Sequence, residues 1–442
     1  MKKGKSIALL SAISILMVLL IAITFIRLPM GVRNFNSILG AIETDYDISG
    51  GSVYTFELEE DNSEPVEDIN DVLDTLKFRL NKLGYENCLV KAIRAEGNDD
   101  YSIRVEVKAP VDAYNTPDYT TLDEDMKVVA KYGQLEFFGG AETELSQEDK
   151  IFDNQEVISS VSTELMKDTD GSYYVVSITF TNDAYDYISE KMEEGAFYFK
   201  VTLGGEVLSP FDGATALTAE SFGKTVYITT ASEASAKQME LQITSGGLKY
   251  KYTTPERIGN VTSPLGKNVA LICLISVATL IVVSIVALIV IYKGFGIVSG
   301  LSLIWFMLLE LIMLIAVPGI KVSIGSVIGI MVATILTIDG FVITSKRISE
   351  EFANGKTVKA AFNSGFKRSL FPIINVSILS AIVSLVLFFA TTGQLKSFAI
   401  TFGIGTVISV IATLLFTRLF VSLISAVSSN KEKLFKLNRK EA

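Results

Sequence analysis

The chain has 442 residues, 49% of them hydrophobic, with 49 acidic and 39 basic side chains and a formal net charge of −10. Length alone predicts two or three domains, and so apolar a composition excludes a disordered or purely soluble chain. The acidity excludes a sequence-independent nucleic-acid binder, because neutralising phosphates needs clustered Lys and Arg.

The charge is unevenly spread. Residues 31–266 hold 43 acidic and 19 basic side chains, whereas the rest of the chain holds 6 and 20. No histidine is present, which removes His-based triads, His general bases and ordinary His-containing zinc sites. Cys88 and Cys273 lie in a polar and an apolar segment respectively, so neither a disulfide framework nor a metal site is expected.

In chain order, Ser6–Ile26 is a 21-residue uncharged stretch preceded by Lys2, Lys3 and Lys5. It is long enough to span a bilayer. It exceeds a signal-peptide core and no A-x-A site follows, so an uncleaved anchor is expected. Ser52–Leu58 then alternates like a strand, and Ile69, Val72, Leu73, Leu76, Leu80 and Leu83 keep helical spacing. Cys88–Ala95, Tyr101–Val107 and Gln134–Phe138 are β-like. A β-α-β-β-α-β ferredoxin-like unit over about 50–140 is the expectation. A second set follows: strand Tyr173–Phe180, helix Ala184–Met192, strands Phe197–Leu203 and Thr225–Thr229, and helix Ser232–Gln242. The acidic stretch Glu57–Asp68 lacks the DxDxDG spacing and carries Pro65, so it is expected to be a solvated strand end and loop.

Five further apolar runs close the chain: Val269–Tyr292, Phe295–Val317, Val322–Thr344, Leu370–Ala390 and Phe398–Ile424. The predicted fold class is a polytopic α-helical membrane protein with six transmembrane helices, one and then five. A large extracytoplasmic α+β, ferredoxin-like domain separates the first helix from the second. Six spans put both termini on one side. The loops on that side hold 15 Lys and Arg against Lys321 and Lys396 opposite, so both termini are expected in the cytoplasm. The expected divisions are 1–30, tail and first span; 31–145, base subdomain; 146–266, head subdomain; 267–427, five-helix bundle; and 428–442, basic cytoplasmic tail.

Two carboxylates fall inside spans. Asp339 sits in Ile338-Asp339-Gly340, well within the fourth span, and Glu310 in Leu309-Glu310-Leu311 of the third. An ionised carboxylate at such depth costs roughly 2.5–3.5 kcal/mol on insertion scales, and such residues face bundle interiors or water paths. Asp339 reads as a proton carrier, or as a group solvated near the cytoplasmic end. Glu310 reads as a second relay station or a structural hydrogen-bonder, separated from Asp339 in depth by around 15 Å at about 1.5 Å per residue. Arg418, late in the sixth span, is a candidate counter-charge for Asp339 or a snorkelling side chain. No GxxxxGK[ST] pattern occurs, so direct use of ATP is not expected.

Together these pieces resemble the SecD family of translocase-associated membrane subunits, in the RND superfamily. Asp47-Ile48-Ser49-Gly50-Gly51 resembles its LDLxGG stretch, and Arg79-Leu80-Asn81 with Leu83-Gly84 its xxRxNxLG helix. Gln134-Leu135-Glu136-Phe137 resembles QLEF, and Ser245-Gly246-Gly247 with Glu256-Arg257-Ile258-Gly259 the SGxL…ERxVG passage. Asp339 lies where the family has its aspartate, and it precedes Arg347 by eight residues rather than the seven of SecF. Arg347-Ile348-Ser349-Glu350-Glu351, Gly365-Phe366-Lys367-Arg368, Gly393 and Thr417-Arg418 continue the similarity. Three positions depart from the pattern: Phe341 replaces an asparagine, Ile373-Ile374-Asn375 replaces DAN, and Lys346 replaces a glutamate.

The resemblance implies an accessory subunit of the bacterial Sec translocase in the cytoplasmic (inner or plasma) membrane. It would not be an enzyme and would need no cofactor, drawing on the proton gradient. Its expected partners are a SecF-like chain, the SecYEG channel, unfolded exported polypeptide and membrane lipid. The relay could have moved toward Glu310. The alternatives are an RND-type small-molecule or lipid exporter subunit, or a non-transporting membrane assembly scaffold.

Overall fold

The computed structural model describes residues 3–437 apart from 27, 31–32, 36, 60–68, 95–100, 112–115, 143, 153–154, 169–170, 194–195, 218–221, 249, 318 and 429. Most of the acidic stretch Glu57–Asp68, and the tail beyond 437, therefore lie outside the described residues. The chain forms two compact units, 51–261 and the combination of 1–50 with 262–442.

The second of these begins with α1 (Lys3–Phe25) and the short α2 (Tyr46–Ser49). Gly50 ends α2 at φ 76°, its N–H donating to the Tyr46 carbonyl. Backbone there is left-handed, which glycine adopts without steric cost.

The 51–261 unit is built from β1 (Gly51–Phe56), α3 (Asn70–Lys82), β2 (Leu89–Arg94), β3 (Tyr101–Val107), α4 (Tyr119–Ala130), β4 (Leu135–Gly140), β5 (Lys150–Phe152), β6 (Ile158–Asp168), β7 (Gly171–Phe180), α5 (Asn182–Glu193), β8 (Phe197–Leu203), β9 (Glu206–Leu217), β10 (Thr225–Thr230), α6 (Glu233–Ser245) and β11 (Glu256–Val261). Its sheets run β11-β1-β3-β2, β9-β8-β4-β5 and β10-β7-β6. Gly51 begins β1 because a Cβ there would lie 2.2 Å from the Val107 carbonyl oxygen of neighbouring β3.

The expected strand around 134–138 forms, but not in the expected sheet. It pairs with β8, Phe137 opposite Val201. The place beside β1 is taken by β11, with Arg257 opposite Tyr54. The expected boundary at 145/146 is thereby redrawn: β4 packs Leu135 and Phe137 into the core of Phe180, Phe199 and Ile228. Leu248, Tyr250 and Tyr252, from the chain returning toward β11, join the core of α3, α4 and the first sheet. The boundary at 30/31 moves too, since α2 belongs with the helical unit.

Arg79 on α3 holds the two cores together. It is fully buried and donates from Nη1 to the Val129 and Lys131 carbonyls, from Nη2 to the Gly246 carbonyl and from Nε to Ser245 Oγ. Burial pushes its guanidinium down to about 10, so it stays charged at neutral pH. Buried donors that all find acceptors are the condition for placing such a group in a core.

The helical unit resumes with α7 (Val269–Tyr292), α8 (Gly294–Ala316), α9 (Ile324–Ala353), α10 (Val358–Ala390), α11 (Gln394–Ile411), a π-helical turn at Ala412–Phe416, α12 (Thr417–Val427) and α13 (Lys431–Leu434). Together with α1 these give, among the described residues, six helices long and apolar enough to cross a membrane. They make this a membrane protein with a β-rich 51–261 unit. Small residues let the helices approach. A Cβ on Gly325 would sit 2.0 Å from the Gln394 carbonyl oxygen, and one on Gly365 2.7 Å from Ile348 Cα. Pro372 lies inside α10.

One end of this bundle carries the basic loops. There Phe435 is buried against Phe295 and Phe362, with ring centroids 4.7 and 5.4 Å away. The expected basic tail from 428 docks on the bundle through residue 437, because Phe435 and Leu437 are apolar and complete a cluster with Ile348, Phe352 and Phe420.

Candidate functional site

The apolar sequence of α8 buries Glu310 in the helix contacts, fully enclosed. Both of its carboxylate oxygens lack a hydrogen-bond partner among the described residues. Glycine makes the room: a Cβ on Gly405 of α11 would lie 3.1 Å from each Glu310 oxygen and 2.4 Å from Ala333 Cβ of α9. Glu310 is therefore level with Gly405 and Ala333, where α8, α9 and α11 meet.

Asp339 is not in this interior. Helical geometry gives the bundle contacts to Ala333, Thr337, Gly340 and Thr344, all buried. It turns Asp339 outward on a face shared with exposed Ile328, Val332 and Ile335. The expectation of an inward carboxylate is corrected: within this chain Asp339 is exposed. It is six residues beyond Ala333, so about 9 Å from the Glu310 level by helical rise, less than expected. Arg418 is exposed as well, and among the described residues it makes no ion pair with Asp339. The three charged groups do not form one cluster.

Around Glu310 the polar side chains are hydroxyls. Thr334 and Thr337 donate back to the carbonyls of Ile330 and Ala333, and Thr406 to that of Phe402. Thr413 Oγ1 and Trp305 Nε1 are buried without partners among the described residues. Thr413 lies in the π-helical turn, against Gly340. Thr417 donates to Ser302 Oγ at 3.4 Å across the α8–α12 contact.

The remaining motif residues hold the frame. Asp47 Oδ2 accepts the Ile324 N–H at 2.7 Å and so caps the start of α9, while its carbonyl accepts from Ser263 Oγ at 2.5 Å. Burial pushes the Asp47 carboxyl up, with a smaller push from Asp45, against the opposing Ile324 N–H. At the basic end, buried Glu351 pairs with Lys356 Nζ at 2.5 Å and Arg368 Nη1 at 2.6 Å, closing the α9–α10 loop. Sequence reasoning missed Glu351 as an anchor, although the nearby Lys356 and Arg368 were the available signal. Arg347 is exposed and pairs with Glu350. Phe366 is buried beside Ile348 and Phe362. Gly393 opens α11 at φ 65°. Among the described residues, no three carboxylates or cysteines converge as a metal site.

A family model described as "Protein export membrane protein SecD/SecF, C-terminal" matches residues 247–426. The protein translocase subunit SecD of Acidaminococcus fermentans is 24% identical over 408 residues, covering 90% of this chain and 88% of that one. Residues 247–426 thus form a SecD/SecF-type C-terminal domain, and the similarity to SecD extends over most of the chain. The SecD subunit of Escherichia coli is 33% identical over 144 residues, which are 33% of this chain and only 23% of that longer protein. A crystal structure of SecDF in a super-membrane-facing form shares the fold at a TM-score of 0.70 and 20% identity, covering 95% of this chain and 57% of that one. As a SecD-type chain this is a multi-pass protein of the cytoplasmic membrane.

Proposed function

We propose that this chain is a SecD-type accessory subunit of the Sec translocase, promoting protein export through proton-motive-force-coupled movement of an extracytoplasmic domain. Its membrane topology would be one span, the exported 51–261 unit, then five spans, with both termini cytoplasmic. The order β1-α3-β2-β3-α4-β11 and the sheet order β11-β1-β3-β2 support a ferredoxin-like reading of the first subdomain, with its last strand supplied from far along the chain. Emerging unfolded polypeptide would be held by the exported unit beside a SecYEG-type channel, with lipid around the spans. No covalent bond in the substrate would change.

The observation that carries this reading is Asp339. A carboxylate exposed on an apolar helix face would meet hydrocarbon if nothing covered it, at a cost of several kcal/mol. A SecF-like second chain docked on the Ile328–Val332–Ile335–Asp339 face supplies cover and a polar partner. Protonation of Asp339 would then remove a charge from that interface and bias two arrangements of the pair. Glu310 would be a second station on the proton's route.

Purification from native membrane tests the pairing. A SecF-like chain and the channel should accompany the protein, and Asp339→Leu should weaken recovery of the SecF-like chain. Recovery of neither partner with the unaltered protein contradicts the reading. The loss of polar neighbours at Phe341 and Ile373 favours a second reading, a non-transporting scaffold. Under it, partners would be recovered while export ignored collapse of the proton gradient.

A further inference from the structure

Asp339 and Glu310 differ in a way that separates their roles. Asp339 opens outward and needs something outside this chain to complete its surroundings. Glu310 is enclosed by α8, α9 and α11 of this chain alone, with both oxygens unpartnered. Unpaired buried polar atoms are uncommon enough that each calls for an explanation, and an exchangeable ligand or water is one.

The surroundings supply a route. From the Glu310 level toward the basic end, the helix contacts bury a hydroxyl at nearly every turn. Thr337 and Ser409 come first, then Thr413, then the Ser302–Thr417 pair. Gly405 to Thr417 spans about 18 Å at 1.5 Å per residue. Midway, Thr413 Oγ1 and Trp305 Nε1 are left without partners, in or beside the π-helical turn at 412–416. Such turns loosen the regular backbone ladder and concentrate at functional sites. Glu310, Thr413 and Trp305 thus each bring an unpaired polar atom to the interior of this helical unit.

We propose that Glu310 is a binding site for an exchangeable monovalent cation, a proton or a sodium ion, loaded along this hydroxyl seam from the basic end and complete within a single chain. The inference deepens the proton-coupled reading above and rests on it for its biological use. It is nonetheless a property of the isolated protein. The seam needs no partner subunit, whereas Asp339 does.

The test uses the purified full-length chain in lipid nanodiscs, with no second subunit and no export measurement. Infrared difference spectra in potassium buffer should show a protonated-carboxyl band that shifts in D2O and is missing in Glu310→Gln. Dicyclohexylcarbodiimide should label Glu310 in the unaltered chain, read by peptide mass spectrometry, so no variant need fold for this measurement. Sodium chloride that suppresses both signals identifies sodium as the ion, and insensitivity identifies the proton; either outcome supports the site. Thr413→Val removes a hydroxyl from the seam and should slow the D2O shift by about tenfold, the rate equivalent of one relay hydrogen bond. Absence of both the Glu310-dependent band and labelling at Glu310 overturns the proposal. Because partners and export are not measured, that failure would leave the translocase reading to its own test.

Discussion

At Asp339 and Asp47 the same residue type does opposite work. Asp339 lies on an exposed apolar face, so its charge concerns whatever covers that face. Asp47 is buried and serves the fold by accepting the Ile324 N–H at the start of α9. Because burial raises its pKa above the ordinary 3.8, its contribution is full below 3.8 and is lost as pH rises through the raised value. Asn keeps the capping oxygen without the buried charge. Asp47→Asn should therefore melt at the same or a higher temperature at pH 7, while Asp47→Ala should lose about 1 kcal/mol, typical of a removed cap. A lower melting temperature for Asn than for Ala would contradict this assignment. The sequence pointed to Asp339 and Glu310 because charges stand out in apolar runs. It could not say which faced inward, since the apolar residues of a membrane helix leave both faces alike. The orientation came from Gly340 and Gly405, which mark the close contacts.

Among the elements, two joints at the basic end were differently legible. Gly365 was visible as a motif, and its physical reason is the crossing of α9 and α10 within contact of Ile348 backbone. Gly365→Val should force these helices apart and cost about 1–3 kcal/mol, seen as a lower melting temperature in detergent. An unchanged melt would contradict the close crossing. The docked tail was not visible, because five basic residues from 425 onward suggested a solvated end and masked Phe435. Full burial of a Phe side chain is worth about 3 kcal/mol or more. Phe435→Ala should therefore release residues 431–437 to limited proteolysis under conditions where the unaltered tail resists, and equal cleavage of both would contradict the docking. Helix α4 was expected only as the unplaced second helix of the β-α-β-β-α-β unit, although Leu122, Met126 and Val129 keep helical spacing and Asp118 caps it at Thr120 and Thr121. Strand β6 was invisible for a physical reason: Ser159, Ser160, Ser162 and Thr163 give it no apolar alternation.

For the whole molecule, the uneven charge foretold two unlike bodies, and the structure divides the chain close to where the acidic excess begins and ends. Periodicity could find most strands but could not pair them. One partner of β1 is β11, 200 residues away in sequence, and no local pattern carries such a pairing. The same separation explains why the ERIG stretch of the family motif sits at the sheet edge beside the GG stretch rather than in a domain of its own. The proposed function at this scale is that the chain couples ion movement to export. The direct measurement is the rate of export of a pulse-labelled secretory protein in cells depleted of this chain and complemented with the unaltered protein, Asp339→Asn or Glu310→Gln. The account predicts that depletion slows export, that the unaltered protein restores it, and that neither variant does so fully. Export that is unaffected by depletion, or fully restored by an Asp339→Asn, Glu310→Gln double variant, would contradict it.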